Sequence, residues 1–600
     1  MSAEAHPPGG IRGWPGAGPW PAALTLYAVL AAAFFLAPLG GHLSTRIVAM
    51  DELDPGLFIW MLGWWPHAIG HGLDPLYTHA MFAPGGYNLA WSTSIPLPAV
   101  LLAPLTLAAG PVVSFNVLQW SCPTLSAFAA YLLGRQLTAR TGPALVVGYL
   151  FGFSPFVLAN LRAAPNVAMT ALAPLLVLFV LRRLQASLTP RRFVVATTLA
   201  LTAQFLVSTE VFATTTLFAV VALVLAAGLM PARRRELVHT TGLIAIAYLL
   251  TGVLVSPYLY AFITGPHYPP GITFFGAQLA ALVLAPAQVA LAPHPTAMIA
   301  GTNLEDYVSL PLLAILVAVV VTRRTRASLT LGLFAFVALV LSLGGLGLVV
   351  RTHLYPVWMP WRLFVHLPLI RYAIPARFVA YVLLATAIAA GLWLATPGRG
   401  AVARWGPALL AVAAIIPLVG DRGWNTPLRT PGFFAAGDYR HYLRPNDRVL
   451  VIPSWGPSQR WLATAGFPFS LVGGSGGQGV PPSYGAFALW RVQLLDWPYE
   501  AAEHIPLDPL PQDYATEMRR FVAAKRVTAV LVLADFPGPW RRLVASLGVP
   551  GQRVGGMILY RIAASPGRSQ ARAATVRRRA TASRPSAATA TQLAVARASA

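Results

Sequence analysis

Cysteine is almost missing: Cys122 is the only one in 600 residues, and it lies inside an apolar run. No intramolecular disulfide can form, and cysteine-ligated zinc is excluded. Lysine is reduced to Lys525, and aspartate and glutamate together number only 19. With charged residues at 10% and hydrophobic ones at 56%, the chain has too little polar surface to cover a soluble globule of its length. That shortage identifies a membrane protein, and apolar runs recurring between residues 20 and 420 exclude a single anchor. The formal charge of +24 would suggest nucleic acid only if it lay on one face. It does not, because the arginines are scattered through short gaps, so no nucleic-acid partner is expected.

The arginine clusters Arg135/Arg140, Arg182–Arg183 with Arg191–Arg192, Arg233–Arg235, Arg323–Arg326 and Arg399/Arg404 mark one set of gaps, read as cytoplasmic. Asp51, Glu52, Asp54, Asp74, Glu210, Glu305 and Asp306 occupy the alternate gaps, read as outer. The pattern predicts a polytopic α-helical membrane protein with about eleven spans, at 21–40, 113–134, 143–160, 166–183, 192–208, 211–230, 240–261, 307–322, 329–350, 377–396 and 406–420. The 1–20 segment is then cytoplasmic and 21–420 is the membrane domain. The first outer loop, 41–112, is long. Within it, 95–110 reads as a short helix at the membrane face, and 55–70, with Trp60, Trp64 and Trp65, reads as an interfacial helix.

After residue 420 the composition changes. Residues 421–564 read as a soluble extracytoplasmic α/β domain, with strand-like runs at 448–452, 528–533 and 557–560 and helical segments at 491–504 and 512–525. The glycines of 473–479 lack the preceding strand and following Lys-Ser/Thr of a nucleotide loop and read as a flexible loop. Residues 565–600, rich in Ala, Ser, Thr and Arg, read as a disordered tail.

The chemistry-bearing stretch follows the first span. Asp51, Glu52 and Asp54 at the mouth of a membrane cavity suit either a general base for an acceptor hydroxyl or a site for a divalent cation, and equally the solvated end of a loop. His67 and His71, at i and i+4, raise the further option of a metal pair with Asp51 or Asp54.

A first span, an acidic motif, a membrane-hugging loop, many further spans and a C-terminal soluble domain together resemble the GT-C class of polyprenyl-phosphate-sugar-dependent glycosyltransferases, including protein mannosyltransferase-like and YfhO-like bacterial proteins. The strings Asp54-Pro55 through Trp60, Trp64–Ala68, Pro84–Leu89 and Ser94–Leu97 are similar to a bacterial branch of that class. The resemblance implies that an aspartate of the first loop is the catalytic base or metal-binding acid. Asp54 fits the branch, while Asp51-Glu52 resembles the Asp-Glu pair of the mannosyltransferases. It also implies a cationic donor-phosphate site, for which Arg371 and Arg377 come first and Arg162 second, with Arg351 and Arg362 behind. Arginines so placed also serve as interfacial anchors. Glu210, flanked by apolar spans, and Glu305 and Asp306 with Asn303 and Tyr307 are expected to line the same cleft. The expected partners are a polyprenyl-phosphate-linked sugar, membrane lipid and a glycan, lipid or protein acceptor, with magnesium or manganese as an optional cofactor. The expected location is a bacterial plasma membrane, with the N-terminus cytoplasmic and the C-terminal domain outside. A transporter or lipid flippase would call for an internal repeat and acids at mid-membrane, neither of which is legible. A noncatalytic scaffold stays open.

Overall fold

The computed structural model describes residues 19–268, 276–292, 304–345, 348–350, 353–367, 370–398, 400–418, 422–475, 480–487, 512–536 and 540–562. The expected cytoplasmic segment, the tail, the 491–504 helix, most of the glycine run, Arg351 and Asn303 lie outside them.

Each of the eleven apolar runs contains helix, though not every run is helical to its end. They begin with α1 (Trp20–Ala31), which is prolonged by a π turn and a 3-10 turn to Leu39. In the following loop lie α2 (Leu53–Gly70) and the short α3 (Pro96–Leu101) and α4 (Ala103–Ala109). Then come α5 (Pro111–Thr138), α6 (Thr141–Gly152), α7 (Pro155–Leu161), α8 (Pro165–Ala168), α9 (Leu172–Leu184) and α10 (Pro190–Val207). The helical body is completed by α11 (Thr209–Leu229), α12 (Arg234–Leu254), α13 (Ser256–Thr264), α14 (Leu310–Arg323), α15 (Arg326–Ser342), α16 (Val379–Leu394) and α17 (Ala401–Ala413). Among the described residues, five helical stretches are long and apolar enough to cross a membrane: Trp20–Leu39, Pro165–Leu184, Thr209–Leu229, Pro231–Leu254 and Pro375–Leu394. The pair α6 and α7, bent by 42°, makes a sixth if it is one broken span, while α14, α15 and α17 are apolar but shorter. The run expected to span 329–350 stops as a helix at Ser342 and continues as strand β4 (Leu348–Val350), paired with β5 (His353–Tyr355).

The soluble portion is built on a five-stranded sheet. It contains β7 (Arg448–Ile452), β8 (Ser470–Leu471), β9 (Ala529–Leu533), β10 (Gly551–Val554) and β11 (Met557–Arg561), in the order β10-β11-β9-β7-β8. β7 runs parallel to β8 and β9, and the β10–β11 hairpin joins β9 antiparallel. Three of these strands coincide with the apolar runs at 448–452, 528–533 and 557–560. β7 and β9 are buried almost throughout, as expected of strands covered on both faces. Around them lie α18 (Gly432–Ala435), α19 (Tyr439–Tyr442) and α20 (Pro457–Thr464).

Much of the loop between α1 and α5 packs against this sheet and its surrounding helices. β1 (Arg46–Ile47) pairs with β6 (Thr426–Pro427). Beyond the small β2 (Tyr77–Thr78) and β3 (Tyr87–Asn88) hairpin, residues 80–83 add to the free edge of β8, with Leu471 N–H donating to the Ala80 carbonyl and Ala83 N–H to that of Leu471. The tryptophans of α2 correct the interfacial reading. Trp60 and Trp64 stack on each other at 5.2 Å, and both meet the edge of Phe467 from the soluble domain at 5.6 Å, so residues 55–65 are buried in protein. A tryptophan-rich apolar helix satisfies a membrane interface and a domain interface equally well by composition. The partner that decided between them lies four hundred residues away in sequence.

Candidate functional site

The acidic motif is held by amides projecting from an otherwise apolar helix. From α5, Asn116 Nδ2 donates to the carbonyls of Leu43 and Arg46, and its Oδ1 accepts from Val48 N–H. Gln119 Nε2 bridges the carbonyls of Val48 and Leu161. Both side chains are buried, where an unmet amide would be costly, so these bonds pin the strand that leads to Asp51. Asp51 Oδ1 then accepts from Leu53 N–H at 2.8 Å, an Asx-type turn that leads into α2. Asp54 sits in the first turn of that helix.

Asp54 is reached by water, yet protein surrounds it closely enough to move its carboxyl up to about 6. Loss of solvation is the main cause and the neighbouring Asp51 charge the second, while Arg377 pulls in the opposite direction. The Arg377 charge thus reaches Asp54.

Glu52 has a different position. Its Oε2 lies 2.7 Å from Arg460 Nη2, and its Oε1 accepts from Arg429 N–H at 2.9 Å. The side chain is used in binding α20 to the start of α2. Arg162 also reaches the C-terminal portion: Nε donates to the Gly423 carbonyl, the guanidinium lies 5.8 Å from the Trp424 ring, and its own carbonyl accepts from Met50 N–H.

Arg377 lies at the centre of the remaining charges. Its Nη1 contacts Glu210 Oε2 at 2.5 Å, and its Nε lies 3.3 Å from Glu305 Oε1. Glu210 also accepts from Ile374 N–H, and Glu305 from Asn160 Nδ2 on α7. The geometry follows from helical periodicity. Glu210 opens α11 and Arg377 precedes α16; one turn further along, Thr214 and Thr215 both bond the Tyr381 hydroxyl, at 2.8 and 3.0 Å. Phe218 stacks on the same tyrosine at 4.2 Å, fixing the register of the two helices. Each partner is only about one-fifth exposed, so the pairing offsets charges that would otherwise be poorly solvated.

Asp306 is almost fully buried and accepts from Gln278 N–H at 3.1 Å. Its other oxygen has no partner among the described residues. Burial drives its carboxyl up to about 7, with the Gln278 bond opposing and the Glu305 charge adding. Arg371 is half-buried, its guanidinium 5.3 Å from the Tyr372 ring, and its Nε has no partner among the described residues. Arg362 donates to the Gly345 carbonyl.

His67 and His71 do not approach the aspartates. α2 continues through Pro66, so thirteen residues at ~1.5 Å each separate His67 from Asp54 by about 20 Å along the axis. Among the described residues, no three His, Cys, Asp or Glu side chains converge as a metal-holding group.

Glu210 borders two cavities. The larger, of about 100 Å³, is lined by residues 90–96, Asn166, the α10–α11 junction 205–210, Tyr258, Phe262, Tyr372 and Ala373. The smaller has apolar walls and also reaches Arg377 and Tyr381. Sequence reasoning missed Asn116, Gln119, Asn160, Asn166 and the hydroxyls of 92–94. Uncharged amides in apolar runs were their only signal, and pairing across the fold was needed to interpret it.

No family model matches the sequence, and no curated protein matches it. Solved structures do. The arabinofuranosyltransferase AftD from Mycobacteria superposes with a TM-score of 0.54 at 15% identity, over 91% of this chain and 41% of its own. This chain thus spans under half of AftD. The oligosaccharyltransferase AglB of Archaeoglobus fulgidus, solved with an inhibitory peptide and a dolichol-phosphate, gives 0.49 at 11% identity, over 91% and 74% of the two chains. ArnT of Cupriavidus metallidurans gives 0.46 at 13% identity, over 90% and 97%. At these identities the likeness is one of fold, and the chain has a GT-C-type fold.

Proposed function

We propose that the protein is a membrane glycosyltransferase that moves a sugar from a polyprenyl-phosphate donor to an acceptor hydroxyl at the outer membrane face. The observation that carries the proposal is the cluster of Arg377 with Glu210 and Glu305, in which Glu210 and Arg377 line a cavity and the Arg377 charge reaches Asp54. A carboxyl raised to about 6 is still mostly ionised at neutral pH and is a stronger base than an ordinary aspartate.

In this reading Asp54 accepts the proton of the acceptor hydroxyl as its oxygen bonds to the anomeric carbon. The bond from that carbon to the phosphate oxygen breaks, and polyprenyl phosphate leaves with the electron pair. Arg371, whose Nε is uncommitted among the described residues, supplies positive charge to the leaving phosphate. Arg377 already balances two carboxylates, so its part is to hold Glu210 and Glu305 and to temper Asp54. Asp51 shapes the turn into α2 and raises the basicity of Asp54 by its charge. Glu52 and Arg162 support the site by tying it to the soluble domain.

The Asp51 charge raises the Asp54 carboxyl, and two neighbouring carboxylates with substrate phosphate oxygens would suit a magnesium or manganese ion. When bound, such an ion would neutralise phosphate charge. The acceptor, whether glycan, lipid or protein, would enter beside the soluble domain.

The test is incubation of purified protein in lipid with a panel of radiolabelled polyprenyl-phosphate sugars. Transfer by wild type that is lost in Asp54→Asn is expected. Absence of transfer across the panel, or transfer undiminished in Asp54→Asn, overturns the proposal.

A further inference from the structure

The larger cavity beside Glu210 has a lining whose chemistry is specific. Its wall carries the hydroxyls of Ser92, Thr93, Ser94 and Thr209, and the amide of Asn166. Trp91, Phe205, Phe262 and Tyr372 supply aromatic surface. Glu210 is the one charged residue among the described residues of the wall, and its charge is met by Arg377 and by Ile374 N–H. The cavity is therefore polar but electrically neutral.

Three of its groups are available to a ligand. Thr93 and Thr209 are half-buried, with no side-chain hydrogen bond among the described residues. Asn166 is 6% exposed; its Nδ2 donates to Ser208 Oγ, while its Oδ1 has no partner among the described residues. A buried amide oxygen without a donor is costly and calls for one. The walls are also anchored: Tyr258 donates to the Ala90 carbonyl, Trp65 to that of Ser94 and Trp91 to that of Phe262. A fixed set of hydroxyl and amide groups facing aromatic rings recognises a ring that bears several hydroxyls on one side and C–H bonds on the other. At ~15 Å³ of such space per water, the volume holds about seven waters, the room of one monosaccharide ring.

Resting on the glycosyltransferase reading, we infer that this cavity is the subsite for the transferred sugar and that it selects a single neutral pentose or hexose over amino sugars and uronic acids. A sugar ammonium would find Glu210 already paired, and a sugar carboxylate would find that glutamate's charge beside it, so each charged sugar loses solvation without gaining a partner. The subsite borders the phosphate position, because Tyr372 lines the cavity and follows Arg371 in sequence.

The test uses native mass spectrometry of the full-length protein in nanodiscs, titrated with polyprenyl phosphate and with the same lipid bearing a neutral hexose, a neutral pentose, an amino sugar or a uronic acid. One or both neutral sugars are expected to add about tenfold to the affinity of the bare lipid phosphate, the charged sugars nothing. Asn166→Ala and the near-isosteric Thr93→Val are each expected to reduce the neutral-sugar gain at least threefold while leaving bare lipid binding unchanged. Equal binding of neutral and charged sugars, or a gain unaffected in Thr93→Val, overturns the subsite. Binding of the bare lipid with radiolabel transfer but no neutral preference overturns the subsite alone. No binding of any of these lipids overturns the glycosyltransferase reading with it.

Discussion

Asp54 and Arg377 illustrate how far single residues depend on their surroundings. The aspartate is an ordinary carboxylate by sequence, and its basicity comes from poor solvation and from Asp51. Because its folded pKa is raised, the ionised base is present above about pH 6 and is lost as the pH falls through that value. The transfer rate is expected to decline toward acid with a midpoint near 6, read from a pH profile at saturating donor. Asp54→Asn should lower transfer by about 100- to 10,000-fold, the usual worth of a general base, with little change in melting temperature because water reaches this side chain. Arg377→Leu should behave in the opposite way. It leaves Glu210 and Glu305 facing each other without a cation, and the loss should approach ~3 kcal/mol, visible as a lowered thermal midpoint. Arg371→Ala should weaken donor binding about tenfold, the lower range for a charged hydrogen bond, without altering stability.

Among the elements, α2 carries the site and α20 fixes it. The two meet where Gly56 faces Gly456: a Cβ on Gly56 would overlap the Gly456 carbonyl oxygen. Gly456 has φ +61 and lies against the Glu52 and Leu53 backbone, so neither glycine can be exchanged freely. Above this contact Glu52 and Arg460 pair, with Arg460 2% exposed. Gly56→Ala is expected to cost about 1–3 kcal/mol, as overpacking does, and to make the junction between the helical body and the soluble domain cleavable at lower protease concentration. This element-level picture was partly legible. Apolar periodicity located the helices, and the 448–452, 528–533 and 557–560 runs located three strands, because each pattern is local. The docking of α2 was not, since its tryptophans satisfy lipid headgroups or Phe467 equally well by composition.

At the scale of the whole molecule, the arginine-rich gaps and the acid-bearing gaps predict opposite sides of a membrane. Cys122 is buried, so single-cysteine labelling needs no prior removal of cysteine. Ser187→Cys, in the exposed turn after α9, and Ala435→Cys, exposed on the soluble domain, are expected to react with an impermeant maleimide from opposite faces of sealed vesicles. Labelling of both from one face would overturn the assigned topology.

The sequence by itself determined the apolar helical class, the change to strand-bearing chain after residue 420, and the set of acids and arginines from which a site could be drawn. Those follow from composition and short-range periodicity, which act within a turn or a strand. Only the tertiary structure decided which charges meet: Glu52 with Arg460, Glu210 and Glu305 with Arg377, and Asp54 in the field of Arg377. In a chain with so few charges, each buried one is stable only beside a particular partner, and those partners lie 72 to 408 residues apart, brought together by helix packing that no local pattern encodes.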